Sequence, residues 1–102
     1  MTHWYRNRGD VGDTIKPYLD GIVDLIGATS VSATLSGCDA VVELTGGTVV
    51  DAVARLVSIP LGSWITTATP GTYEVKTHVD FGPGLRLSWP AAPASDKLTV
   101  DS

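Results

Sequence analysis

His78 is the residue of this chain best placed to do chemistry, because "PGTYEVKTHVDF", Pro70 to Phe81, sets it between Lys76 and Asp80 in strict alternation. An imidazole beside a carboxylate and an ammonium can act as a general base, provided that a nucleophile or a metal converges on it. The other histidine is His3 and the one cysteine is Cys38, both distant in sequence, so a Cys-His pair is suggested by residue types alone. The alternation supplies a plainer account. On a strand, Tyr73, Val75, Thr77, Val79 and Phe81 share one face, while Thr72, Glu74, Lys76, His78 and Asp80 share the other. The apolar set must face the core, which leaves His78 on a wet face where cross-strand charge pairing is sufficient explanation.

Other stretches resemble motifs and weaken on inspection. "RGDVGD" holds Arg8-Gly9-Asp10, a tripeptide that adhesive ligands display on loop tips, but Gly-Asp pairs are ordinary turn chemistry. Asp10, Asp13, Asp20 and Asp24 lack the regular spacing and closing Glu of a calcium loop. No Gly-rich loop leads into Lys and Ser or Thr, so phosphate cradling has no support. No cofactor is expected. Trp64 and Trp89 fit burial better than a platform for sugars or bases. Trp4 and Tyr5, near the N-terminus, form an aromatic pair that could anchor a neighbouring chain.

The elements that must carry these residues are short. With 102 residues, the chain is expected to form one domain over 1–102, with 91–102 as a short C-terminal tail holding a possible edge strand. The net charge is -4 and Lys and Arg do not cluster, which speaks against nucleic acid; Arg6 and Arg8 lie beside Asp10 and Asp13 in a mixed surface. A single cysteine allows no internal disulfide, and Cys38 in the turn "SGCDA" is expected to be accessible. "MTHWYRNRGD" has no apolar leader region and no run approaches the roughly 20 apolar residues of a bilayer span, so no membrane role is expected.

Segments rich in β-branched and aromatic residues recur between Gly, Pro, Asp and Ser at intervals of about ten residues, the pattern of an all-β sandwich or barrel. They begin with "HWYRNR" and "TIKPYL", where Pro17 suggests an edge strand. "TSVSATLS" and "AVVEL" read as a hairpin. Gly46-Gly47 is expected to break the chain before "TVVD" and "RLVSIPL", although Val49, Val50, Val53, Leu56 and Val57 also fit an amphipathic helix. "LRLSW" should pair with the strand of His78, and "KLTV" should close an edge.

The order "RGDVGD", "DLIGATSVSATL", "GGTVVDAVARLVSIPL", "GTYEVKTHVDF" and "LRLSWP" resembles a small immunoglobulin-like module of tailed-bacteriophage virion proteins, similar to the N-terminal domain of the siphophage upper baseplate protein. The resemblance runs from about Trp4 to Pro90. It implies an immunoglobulin-like sandwich of about seven to nine short antiparallel strands. Gly71 and Tyr73 would form its tyrosine corner, with the Tyr73 hydroxyl bonded to backbone, and Phe81 and Trp89 would be structural. It also implies a structural, non-enzymatic protein of the virion, made in the host cytoplasm. Its partners would be other phage structural proteins and further copies of itself in a symmetric assembly. Docking would use the terminal segments: His3, Trp4, Tyr5, Arg6 and Arg8, with Leu98 and Val100 at the C-terminus. The alternative is a host-surface carbohydrate- or protein-binding module using the loops and Trp64 or Trp89.

Overall fold

Strand β6 (Gly71–Asp80) organises the molecule. Its Tyr73, Val75, Thr77 and Val79 are buried while the intervening side chains reach the surface, as period-two alternation requires. The computed structural model describes residues 2–19, 24–37, 40–82, 84–90 and 94–102. Cys38 and the expected Asp20-Gly21 turn lie outside the described residues.

The class is all-β. Around β6 stand β1 (His3–Asn7), β2 (Thr14–Ile15), β3 (Ser30–Gly37), β4 (Ala40–Asp51), β5 (Leu56–Pro60), β7 (Arg86–Trp89) and β8 (Asp96–Asp101). A four-residue helix, α1 (Trp64–Thr67), lies in the β5–β6 connection. Pairing follows the path β1-β8-β6-β3-β4-β5-β2, with β7 on β6 beside β8. The path curls into a nearly closed, barrel-like arrangement. Its interior is filled by apolar side chains from every quarter of the chain, among them Ile15, Leu35, Ile59, Leu61, Ile65, Val75 and Leu98. Removing one such side chain from water stabilises the fold by about 1.5 to 3 kcal/mol.

Three expectations are corrected. First, β1 runs parallel to β8, with His3 opposite Lys97 and Asn7 opposite Asp101, so the strands are not uniformly antiparallel. Second, β8 is no edge strand, because it lies between β1 and β6. Third, Gly46-Gly47 does not break the chain. β4 continues through it for 12 residues, pairing with β3 on one stretch and with β5 from Thr48 to Asp51 on another. The glycines serve close approach instead: a Cβ on Gly47 would lie 2.8 Å from the Val31 carbonyl oxygen. A register shift between Val31 and Ala33 marks the same place on β3.

The ambiguous Val49 to Val57 segment resolves into the end of β4, a turn over 52–55 and the start of β5. Arg55 holds φ at 61° to make that turn. Pro17 lies two residues after β2, which pairs with β5 and, among the described residues, stands at one end of the path. Its carbonyl oxygen accepts a bond from Val57 N–H at 3.1 Å.

Candidate functional site

On the outer face of β6, His78 lies opposite Ser32 of β3 and Ser88 of β7. A hydroxyl meets each of its ring nitrogens: Nε2 is 2.9 Å from Thr34 Oγ1 and Nδ1 is 2.7 Å from Ser88 Oγ. Hydroxyls donate or accept as needed, so the neutral ring is satisfied in either tautomer. Partial burial holds the imidazole pKa below its ordinary 6.5, and the Arg86 guanidinium adds to that depression. Among the described residues no carboxylate is hydrogen-bonded to the ring to orient it as a base. Its fixed role here is to join β3, β6 and β7 through side chains.

Charge pairing on this face involves the neighbours of His78. Asp80 accepts from Arg86, its register partner on β7, at 2.8 and 3.2 Å, and from Ser30 Oγ at 2.8 Å. The Arg86 bonds, then the Ser30 bond, hold the Asp80 carboxyl below its ordinary range. Glu74 stands 3.9 Å from Lys97 of β8. Lys76 turns instead to the carbonyl oxygens of Pro90 and Ala94, fastening the connection between β7 and β8. Among the described residues, no three His, Cys, Asp or Glu side chains converge as a metal set.

The terminal docking set divides along its strands. In β1 the side chains of His3 and Tyr5 point outward and those of Trp4 and Arg6 inward. His3 and Tyr5 stack at 4.3 Å between centroids with planes 12° apart, and Tyr5 is 61% exposed. His3 Nε2 lies 2.7 Å from Thr99 Oγ1, itself 2.8 Å from Thr72 Oγ1, so a row of hydroxyls on β8 and β6 supports the ring. Trp4 packs against the core. Arg6 reaches β2, where Nη2 donates to the Thr14 carbonyl oxygen at 2.9 Å. Its Nε is 2.8 Å from Asp13 Oδ2 without a hydrogen-bonding alignment, so that contact is an ion pair only. Arg8 is exposed and donates weakly to the Thr66 carbonyl oxygen at 3.4 Å.

Leu98 and Val100 are corrected outright. They are 0% and 1% exposed and belong to the core, because β8 alternates inward at these positions and is flanked on both sides. The strand's anchoring residue is Asp96, 3% exposed, whose Oδ1 accepts the Thr2 backbone N–H at 2.9 Å.

The Tyr73 hydroxyl donates to the Thr69 carbonyl oxygen, four residues upstream, at 2.7 Å. Gly71 opens β6 at φ 147°, and Trp64 meets the Tyr73 ring edge-on at 5.3 Å. Phe81 and Trp89 are partly buried against the core.

A groove that the sequence did not announce opens where β4 parts from β5. It is lined by Glu43, Leu44, Thr45, Pro60, Leu61, Gly62, Ser63 and Trp64, and encloses about 260 Å³. The signal for it lies in the pairing itself, since β4 meets β5 only from Thr48 onward, and no short-range pattern encodes that.

Neither a protein-family model nor a curated protein matches this chain.

Proposed function

We propose that this chain is a structural protein of a tailed-phage particle, present in many copies and acting by docking onto its neighbours. The observation that carries the reading is the His3–Tyr5 stack, a rigid aromatic ridge exposed on β1 and braced by Thr99. Exposed aromatic rings held in one conformation are typical anchors, because little conformational freedom remains to be lost when a partner covers them. The docking set is accordingly His3 and Tyr5 with Arg8 alongside. Trp4 and Arg6 set the strand in place beneath them.

The finer fold proposed is an immunoglobulin-like sandwich. It draws support from the bond of Tyr73 to upstream backbone at the start of β6, the geometry of a tyrosine corner. Passage of β4 from β3 to β5 at its glycine pair is also how a strand changes layers.

The test is mass spectrometry of purified particles from the infected host, with wild type and Tyr5→Ala compared. The expected result is a stoichiometric chain in wild-type particles and its loss in the variant, with the variant still folded. Absence of the wild-type chain from particles overturns the proposal. A second reading, recognition of a host-surface glycan, draws on Trp64 at the groove. Glycan binding by the isolated protein would favour it.

A further inference from the structure

We propose that β1 is an exchangeable strand: two copies of this chain swap it, so that the β1 of one seats beside the β8 of the other. The body that it leaves stays whole. Among the described residues β8 is the only strand that pairs with β1, and β8 keeps its ladder to β6 when β1 departs. No residue of β1 belongs to the buried core; Trp4 packs against that core and is itself only partly buried.

The seat, by contrast, is fitted to this strand and is unfavourable when vacant. Asp96 is 3% exposed, and without β1 its Oδ1 loses the Thr2 backbone N–H at 2.9 Å. The Lys97 N–H loses the Thr2 carbonyl oxygen at 2.9 Å, and the Asp101 carbonyl oxygen loses the Arg8 N–H at 2.7 Å. What remains is an open strand edge beside a carboxylate without its donor, a surface that recruits another strand. A second β1 satisfies each of these groups, because it carries the same Thr2, Trp4 and Arg8 in the same register. Its Arg6 also finds an acceptor, since Thr14 lies on the body side of the turn that follows β1.

That turn, over 9–12, is the hinge. Residues 8–12 are all exposed, and the turn is closed by two local bonds: Asp10 N–H to the Asn7 carbonyl oxygen at 3.2 Å and Val11 N–H to the Gly9 carbonyl oxygen at 2.9 Å. Gly9 and Gly12 hold φ at 95° and 88° with nothing within 4 Å of an added Cβ. Glycine crosses to negative φ without steric penalty, so the turn straightens into a linker with the loss of those two bonds. Its four residues then reach about 14 Å toward a neighbouring body. A chain's own β1 and its neighbour's make the same contacts in the seat, so concentration decides between them. The short tether holds a chain's own strand at an effective concentration on the order of millimolar, which a second copy matches in concentrated solution or in an assembly.

Exchange involves only copies of this chain, so it stands or falls in solution whether or not the particle reading holds. The test uses the full chain with Asn7→Cys and Asp101→Cys, two exposed register partners on β1 and β8, and with Cys38→Ser to remove the native thiol. The protein is refolded from urea at about 10 µM and at about 1 mM and then oxidised. Non-reducing electrophoresis in denaturant reads whether each link lies within a chain or between two. Links between chains are expected in roughly half of the chains refolded at the higher concentration, and in about one in a hundred at the lower. The inference is overturned if links lie within single chains at both concentrations. It is equally overturned if light scattering finds dimers that separate into internally linked single chains, or if no link forms, since the seat itself would then be absent.

Discussion

Arg6 Nη2 donates to the Thr14 carbonyl oxygen at 2.9 Å, and this bond ties the first strand of the pairing path to the last. The guanidinium also donates from Nη1 to the Tyr5 carbonyl oxygen at 2.8 Å, blunting an edge that another chain could pair with. Replacing Arg6 by Ala should therefore lower stability by about 1 to 2 kcal/mol, the range of charge-assisted bonds at a partly exposed site. Arg6→Lys, which cannot span both carbonyls with one planar head, should recover only part of it. Urea unfolding of the three proteins checks both expectations.

Tyr73→Phe keeps the ring, and with it the edge contact to Trp64, but leaves the Thr69 carbonyl oxygen without its donor. A loss of about 1 kcal/mol is expected with unchanged tryptophan emission. A neutral substitution would remove the main support for a tyrosine corner.

Gly47→Ala should destabilise by about 1 to 3 kcal/mol, since the added methyl must move backbone rather than a side-chain tip. The same change at Gly62 meets open space and is strained only by its φ of 61°. Thermal unfolding of both variants should show the larger drop at Gly47.

The His78 pKa is lowered in the folded chain, so the unfolded chain binds this proton more readily. The contribution of His78 is therefore complete above its ordinary value of 6.5 and fades as pH falls through the folded value. Asp80 has the same sign in its own window: its contribution is present above 3.8 and is lost as pH falls further. The urea midpoint should fall between about pH 7.5 and pH 5.5, and by less in His78→Gln. An equal fall in both proteins would show that other groups govern that range.

Much of this architecture can be read from the sequence wherever one strand's own pattern suffices. β6 reveals its buried face because Tyr73, Val75, Thr77 and Val79 alternate with polar residues, and the β3–β4 hairpin follows from two strand-like runs set close together in sequence. Readings failed where the answer depended on a distant partner. "KLTV" is as short and mixed as any edge strand, and only its pairing with both β1 and β6 makes Leu98 and Val100 core residues. Gly46-Gly47 reads locally as punctuation, whereas its cause is Val31 on the facing strand. The hydroxyls on His78 come from two other strands, so the residue's place on the wet face was legible and its partners were not. Helix α1, with four residues, is too short to show a helical period.

The lateral partner of the first strand is the last one, with Thr2 and Asp96 separated by 94 positions. During synthesis β1 leaves the ribosome ahead of the other described strands and finds no seat until Asp96–Asp101 has followed it out. The intervening strands can pair locally in the meantime, while the loop that docks β1 is nearly as long as the chain itself. Folding of this sheet is thus completed only after translation has passed β8. Until then the aromatic residues of the N-terminal segment are open to chaperones.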